Sequence, residues 1–171
     1  MYLVDRDQMT ANNQHYCSGC SSDPEIIEEF PLDAFGNLQY TGPTYWNGTV
    51  YFNAWNDPIM AFSLSTGQIS KAQSSATPET FRFPGVATSV SANGATNGIL
   101  WVVDSSQFSA PGPAVVYAYD ATNLGNELWN SSMAVNNRDQ AGNAVKFAVP
   151  TIANGKVYIG TQTELDVYGR L

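Results

Sequence analysis

One short pattern, an Asn-Gly turn followed by a strand that ends on an aromatic residue, recurs along this chain of 171 residues. The copies read NGTVY at residues 47–51, NGILW at 97–101 and NGKVY at 154–158, and the chain opens on a similar MYLV. The aromatic positions are separated by 49, 50 and 57 residues and are occupied by Tyr2, Tyr51, Trp101 and Tyr158. A period of about 50 residues built from short strands is typical of a β-propeller. The repeat therefore predicts an all-β fold made of successive blades.

Turn signals divide the chain into four predicted blades, of which the middle two are complete. Partial blades are expected at residues 1–40 and 146–171, and complete blades at 41–84 and 85–145. Within them we predict strands at residues 2–5, 25–32, 50–54, 59–64, 68–72, 87–92, 99–104, 115–120, 127–130, 148–153, 156–161 and 164–168, with a turn at 93–98. The whole chain is read as one domain.

The number of repeats is too small for a closed ring. Propellers close with four to eight blades, whereas this chain supplies an arc of about three to four four-stranded blades. A repeat cannot bury its apolar faces without neighbours, so the arc would leave blade faces exposed. We therefore predict a homo-oligomer in which a second arc completes the propeller.

The charge balance restricts the classes of partner. The chain has 15 acidic and 7 basic residues, a formal net charge of −8, and so it has no basic stripe to neutralise phosphates. We expect neither a nucleic-acid partner nor binding to an anionic membrane. No apolar run approaches the roughly 20 residues of a membrane span, and we recognise no signal peptide at the start of the chain.

The third repeat carries a more specific resemblance. Residues 118–123 (AYDATN) followed by ELW at 127–129 resemble the repeat of the pyrroloquinoline-quinone (PQQ) dehydrogenase propellers, and residues 61–67 (AFSLSTG) are a degenerate copy. The chain is most similar to the C-terminal part of secreted bacterial PQQ-repeat-like propeller proteins. The resemblance implies a periplasmic or secreted location. It also implies structural roles for the repeat positions: Asp120 in the turn between the third and fourth strands, Trp129 between blades, and Tyr51, Trp101 and Tyr158 in the repeated strand.

The resemblance does not extend to the quinone site. In the resembling enzymes the cofactor lies on a Trp floor at the propeller axis, beside a calcium ion, an Asp base and an Arg. Those groups come from many blades, and this chain holds fewer than half of them. We therefore do not expect PQQ as a cofactor or dehydrogenase activity.

Polar residues at strand ends form a second hypothesis. Calcium takes six to eight oxygen ligands, often from Asp, Asn and backbone carbonyls on loops. A calcium ion at the mouth of the propeller would polarise an ester or lactone carbonyl. The opposing interpretation is that these residues are turn formers. The candidate ligands are Asp5, Asp7, Asp104, Asn137 and Asp139.

The two cysteines form the motif Cys17-Ser-Gly-Cys20, and His15, the sole histidine, precedes them. A redox dithiol and a metal site are alternatives, but three ligands are fewer than tetrahedral zinc requires. We expect a short-range disulfide between Cys17 and Cys20 that fits an oxidising compartment. A serine-hydrolase triad is not expected, because no Gly-x-Ser-x-Gly motif accompanies His15.

Two functions therefore remain open from the sequence. The preferred one is a non-catalytic or weakly catalytic propeller module for ligand binding or assembly. The alternative is a calcium-dependent hydrolase of lactones or esters. A small-molecule ligand is a further expectation. Trp46 and Trp55 are the best candidates to line a sugar-binding groove, although we favour their burial between blades.

Overall fold

The computed structural model describes residues 1–7, 25–30 and 37–169. In these ranges the chain forms fourteen β-strands in four antiparallel sheets, together with one 3₁₀ turn, Val135–Asn137. No helix in the described ranges has the length and apolarity to cross a membrane. Sheet 1 contains β1 (Tyr2–Val4) and β2 (Ile26–Glu29); sheet 2 contains β3 (Thr44–Trp46), β4 (Thr49–Phe52), β5 (Met60–Ser65), β6 (Gln68–Ile69) and β7 (Ser75–Ala76); sheet 3 contains β8 (Val86–Asn93), β9 (Thr96–Asp104), β10 (Val115–Asp120) and β11 (Glu127–Asn130); sheet 4 contains β12 (Thr151–Ala153), β13 (Lys156–Gly160) and β14 (Leu165–Tyr168).

Each sheet is a meander in which strands that are consecutive in sequence pair side by side. The all-β, antiparallel prediction is thereby confirmed. The last strand of sheet 2 is split, because β6 and β7 pair in turn with the two halves of β5. The predicted strand at 68–72 is therefore shorter than expected. Ser70 turns the chain there, since its hydroxyl accepts a hydrogen bond from the Ala72 amide at 3.2 Å.

Two copies of the Asn-Gly pattern form the expected tight hairpin turns. Asn47 and Gly48 have φ values of 46° and 75°, and Asn154 and Gly155 have 50° and 72°. Two successive left-handed residues define the type I′ turn, whose twist matches that of the strands it joins. Asn and Gly are the residues that adopt this conformation at least cost.

The third copy of the Asn-Gly pattern does not form the hairpin turn, and the predicted turn at 93–98 is therefore corrected. The hairpin between β8 and β9 turns at Gly94 and Ala95, since Asn93 pairs with Thr96. Asn97, with φ of 54°, lies inside β9 at an irregularity of the register. Gly98 follows it in the strand, where a Cβ atom would lie 2.5 Å from Cη2 of Trp46. Glycine is required here for the close approach of the Trp46 ring rather than for a turn.

The predicted strand at 148–153 begins only at Thr151. Pro150 precedes it and has no N–H to donate to a neighbouring strand. Phe147 has a φ of 63°, which also departs from extended backbone. The polypeptide therefore enters sheet 4 through an irregular segment.

The four sheets stack in chain order, and a separate hydrophobic core fills each space between them. In the second strand of sheet 2 and of sheet 3, successive side chains point to opposite faces, so each of these strands contributes residues to the cores on both sides. On β4, Val50 packs toward sheet 1 and Tyr51 toward sheet 3. On β9, Leu100 packs toward sheet 2 and Trp101 toward sheet 4.

The first sheet departs from the aligned repeat. Leu3 packs against the core between sheets 1 and 2, whereas Tyr2 is 57% exposed on the opposite face. The alignment of Tyr2 with Tyr51 is therefore wrong by one residue. Because successive side chains of a strand point to opposite faces, a shift of one residue places Tyr2 on the opposite face of its sheet.

Candidate functional site

The aromatic residues of the repeat occupy corresponding positions on the second strands of sheets 2, 3 and 4. Tyr51 is fully buried, and its hydroxyl donates to the Ala121 carbonyl of the next sheet at 2.7 Å. Tyr158 occupies the same position on β13, but it lies on the outer face of sheet 4. In the described part of the chain no further sheet covers that face.

The outer face of sheet 4 is an apolar surface, which we call the C-terminal face. Thr151, Tyr158 and Val167 are direct cross-strand neighbours on it. Val167 is 48% exposed and Leu165, on the same face of β14, is 62% exposed. Large apolar side chains held in register on one sheet face are the arrangement that buries well against a second sheet.

The first sheet has a corresponding outer surface, which we call the N-terminal face. Tyr2, Val4 and Ile27 lie there, and their exposed fractions are 57%, 38% and 44%. Among the residues that the structure describes, sheets 2 and 3 are covered on both sides, whereas the first and last sheets are covered on one. Both ends of the stack thus present exposed apolar side chains, accompanied by Glu29, which accepts a hydrogen bond from Tyr2, and by Lys156 beside Tyr158.

The PQQ-like repeat segment has a defined local geometry. Asp120 accepts hydrogen bonds from the Thr122 amide at 2.8 Å and from its hydroxyl at 2.6 Å. These bonds hold the pKa of Asp120 below its ordinary value. Trp129 packs against Tyr168 of sheet 4, with ring centroids 5.5 Å apart. Asp120 thus closes the turn from β10 to β11, and Trp129 bridges two sheets.

Three of the candidate calcium ligands serve local turns or ion pairs. Asp5 accepts a hydrogen bond from the Asp7 amide at 2.9 Å, and Asp104 accepts one from the Ser106 amide at 2.8 Å. Asp7 lies 3.6 Å from the Arg6 guanidinium at the surface. Side-chain bonds to the amide two residues ahead are the standard reason for Asp at turns.

The remaining two candidates lie together in the loop before sheet 4. Asn137 is left-handed, with φ of 55°, and Asp139 is paired with Arg138 through Nε at 2.6 Å and Nη2 at 2.8 Å. The guanidinium lowers the pKa of Asp139. Asp5 follows β1 of sheet 1, whereas Asp104 ends β9 of sheet 3. Within the described ranges no group of three His, Cys, Asp or Glu residues is arranged to hold a metal.

The cysteine motif cannot be placed. Cys17, Cys20 and His15 lie outside the described residues. The disulfide therefore stays a prediction.

A groove of about 350 Å³ runs along the first strands of sheets 2 and 3. Thr44 donates from its hydroxyl to the Thr88 carbonyl at 2.8 Å, and Ser89 donates to the Pro150 carbonyl at 2.6 Å. These bonds link the first strand of sheet 2 to that of sheet 3, and the first strand of sheet 3 to Pro150, which precedes sheet 4. Tyr40, Phe147 and Val149 supply the apolar part of the groove wall.

The two tryptophans that were candidates for a sugar groove are partly buried against neighbouring residues. Trp46 lies over Gly98 and donates from Nε1 to the Gly94 carbonyl at 2.9 Å. Trp55 meets Phe83 edge to face, with centroids 6.0 Å apart. Three further partly exposed aromatic residues, Trp101, Trp129 and Tyr168, line a cleft between sheets 3 and 4.

Comparison with known proteins adds no family assignment. No family model matches the sequence, and no curated protein matches it at a significant level. The functional argument therefore depends on the geometry of this chain.

Proposed function

We propose that this chain is a non-catalytic assembly module, an arc of a β-propeller that pairs with a second copy through the C-terminal and N-terminal faces. The observation that carries the proposal is the exposed apolar face at each end of an otherwise covered stack of sheets. Sheet 4 of each copy would pack on sheet 1 of the other. A twofold axis then produces two identical contacts and closes the ring.

The arrangement of the sheets supports a propeller arc. Meanders of up to five strands stack face to face in sequence order, which is the way in which blades follow one another. The first strands lie side by side, since β3 contacts β8 and β8 contacts β12. Hydrogen bonds from Thr44 and Ser89 cross these junctions. The first strands thus line one side of the stack, as the inner strands of blades line an axis.

Burial at the internal junctions supports the pairing. Tyr51 on sheet 2 is fully buried by the next sheet, whereas its counterpart Tyr158 on sheet 4 keeps part of its surface exposed. A second copy would give Tyr158 and Val167 the environment that Tyr51 already has. Contiguous apolar surface of this kind is typical of an interaction site. To be stable, each contact would need to bury about 1,200–2,000 Å² of surface, summed over the two partners.

The proposal is tested by measuring mass in solution with light scattering after size exclusion. We expect a dimer at micromolar concentration. Val167→Glu introduces a charge at the centre of the C-terminal face and should yield monomers, because an unpaired charge is costly to bury. Leu128→Glu is the matched control, since Leu128 is also 48% exposed but lies on β11 of an internal sheet.

The N-terminal face is tested in the same assay. Ile27→Glu should dissociate the same dimer, because both faces take part in each contact. A monomeric wild-type chain would refute the proposal. A dimer that resists both Val167→Glu and Ile27→Glu would place the contact elsewhere and refute it equally.

A further inference from the structure

A cleft between sheets 3 and 4 combines aromatic walls with a polar rim. It has a volume of about 530 Å³, within the range of roughly 300–1,000 Å³ that small-molecule sites occupy. Trp101 and Trp129 form two walls, with ring planes 63° apart and centroids 6.5 Å apart. Tyr168 continues the aromatic surface from Trp129, at an interplanar angle of 61°. Arg138 and Asp139 lie at the rim.

The polar atoms of the walls already have partners inside the protein. Trp101 donates from Nε1 to the Ser91 hydroxyl at 2.8 Å, and Tyr168 donates from its hydroxyl to the Asp139 carbonyl at 3.1 Å. The pKa of the Asp139 carboxyl is lowered chiefly by its hydrogen bond to Arg138 and to a lesser extent by the neighbouring Trp129 indole. The bonds from Trp101 and Tyr168 fix those rings in place. What the walls offer a ligand is therefore their apolar surface.

The rim supplies hydrogen-bonding groups without net charge. The Arg138–Asp139 pair is bidentate, so its charges compensate each other. Two of the five guanidinium N–H groups are used in the pair, and the carboxylate keeps lone pairs free to accept. The Arg138 side chain is 77% exposed and the Asp139 side chain 20% exposed. A charged ligand would have to compete with this pair, whereas a neutral hydroxylated ligand would not.

The ligand that fits these walls and this rim is a neutral saccharide. A pyranose ring has an apolar C–H surface that stacks on an aromatic ring and hydroxyl groups around its edge that both donate and accept. We propose that this cleft binds neutral oligosaccharides, with Trp101 and Trp129 as stacking walls and the Arg138–Asp139 pair as the hydrogen-bonding rim. The residues that line the cleft belong to one chain, and one of them, Val167, also lies on the C-terminal face.

Binding is tested by calorimetry with cellohexaose and maltohexaose on the full chain. We expect saturable binding of at least one of them, with a Kd of about 1 mM or tighter, or about −4 kcal/mol. Arg138→Gln should weaken it about tenfold, the value of one good hydrogen bond. Arg6→Gln is the matched control, because Arg6 is an exposed arginine that is paired with its neighbour Asp7 in the turn after β1. It should leave the Kd unchanged.

The stacking walls are tested with Trp129→Phe, which keeps an aromatic ring against Tyr168 and should also weaken binding. Indole N–H signals of the ¹⁵N-labelled protein should shift on titration, and light scattering on the same samples separates binding from assembly. Absence of saturable binding of both saccharides would overturn the inference. Equal losses of saccharide affinity in Arg138→Gln and Arg6→Gln would also overturn it. So would tighter binding of trigalacturonate than of the neutral saccharides, or binding of decaproline in place of the saccharides.

Discussion

The junction between sheets 2 and 3 contains a buried tyrosine whose hydrogen bond can be removed without changing the shape of the core. Tyr119 has no exposed surface, and its hydroxyl donates to Glu79 Oε2 at 2.6 Å. Tyr119→Phe keeps the ring and deletes the donor. A hydrogen bond to a charged group contributes about 1.5–3 kcal/mol, so we expect a loss of about 2 kcal/mol in the free energy of unfolding. In a chain of this length the Tm should fall by about 4–8 °C.

The control for this change is Tyr51→Phe. Tyr51 is equally buried but donates to a neutral backbone carbonyl, so the expected loss is about 1 kcal/mol. Urea and thermal unfolding followed by circular dichroism measure both variants. Combining Tyr119→Phe with Glu79→Gln should cost less than the sum of the single changes, because the two partners are coupled. A Tyr119→Phe loss no greater than that of Tyr51→Phe, or additive effects in the double variant, would refute the reasoning.

Two further changes probe the packing of the sheets. Gly98→Ala should displace the Trp46 ring, destabilise the fold by about 1–3 kcal/mol and shift tryptophan fluorescence to the red. Gly42→Ala is the control, because an added Cβ there meets nothing within 4 Å, and it should have none of these effects. Burial raises the pKa of Tyr117 to about 12 and also raises that of Tyr168. Their contribution to stability should therefore be complete below pH 10 and lost as the pH rises toward 12, at about 1.4 kcal/mol per pH unit for each tyrosine. A flat unfolding free energy between pH 9 and 12 would contradict this assignment.

Much of the fold could be predicted from the sequence because the residues that specify its turns act on their near neighbours. Asn47-Gly48 and Asn154-Gly155 demand left-handed backbone, which fixes hairpins between the strands on either side. Asp120 followed by Thr122 likewise specifies a turn through short-range hydrogen bonds. The same local pattern was misread at Asn97-Gly98, because the reason for Gly98 is Trp46, a residue about fifty positions earlier in the chain.

Much less of the cleft between sheets 3 and 4 could be predicted from the sequence. Asp139 was a candidate for calcium from its residue type, but its carboxylate is paired with the Arg138 guanidinium. Trp101 and Trp129 were interpreted as structural residues of the repeat, and their spacing does not indicate that they form two walls of one cleft. No local pattern contains such information, since the walls come from different strands and Tyr168 from another sheet.

The sequence by itself determined that the chain forms short antiparallel strands with a period near 50 residues, since turn chemistry and side-chain alternation act between near neighbours. Tertiary structure alone decided which face of each sheet is covered. Tyr51 and Tyr158 are equivalent in the repeat, yet one is fully buried and the other is half-buried on an outer face. Burial depends on what packs against a sheet rather than on the residues within it. The exposed faces on which the proposed assembly depends are for that reason a property of the stack.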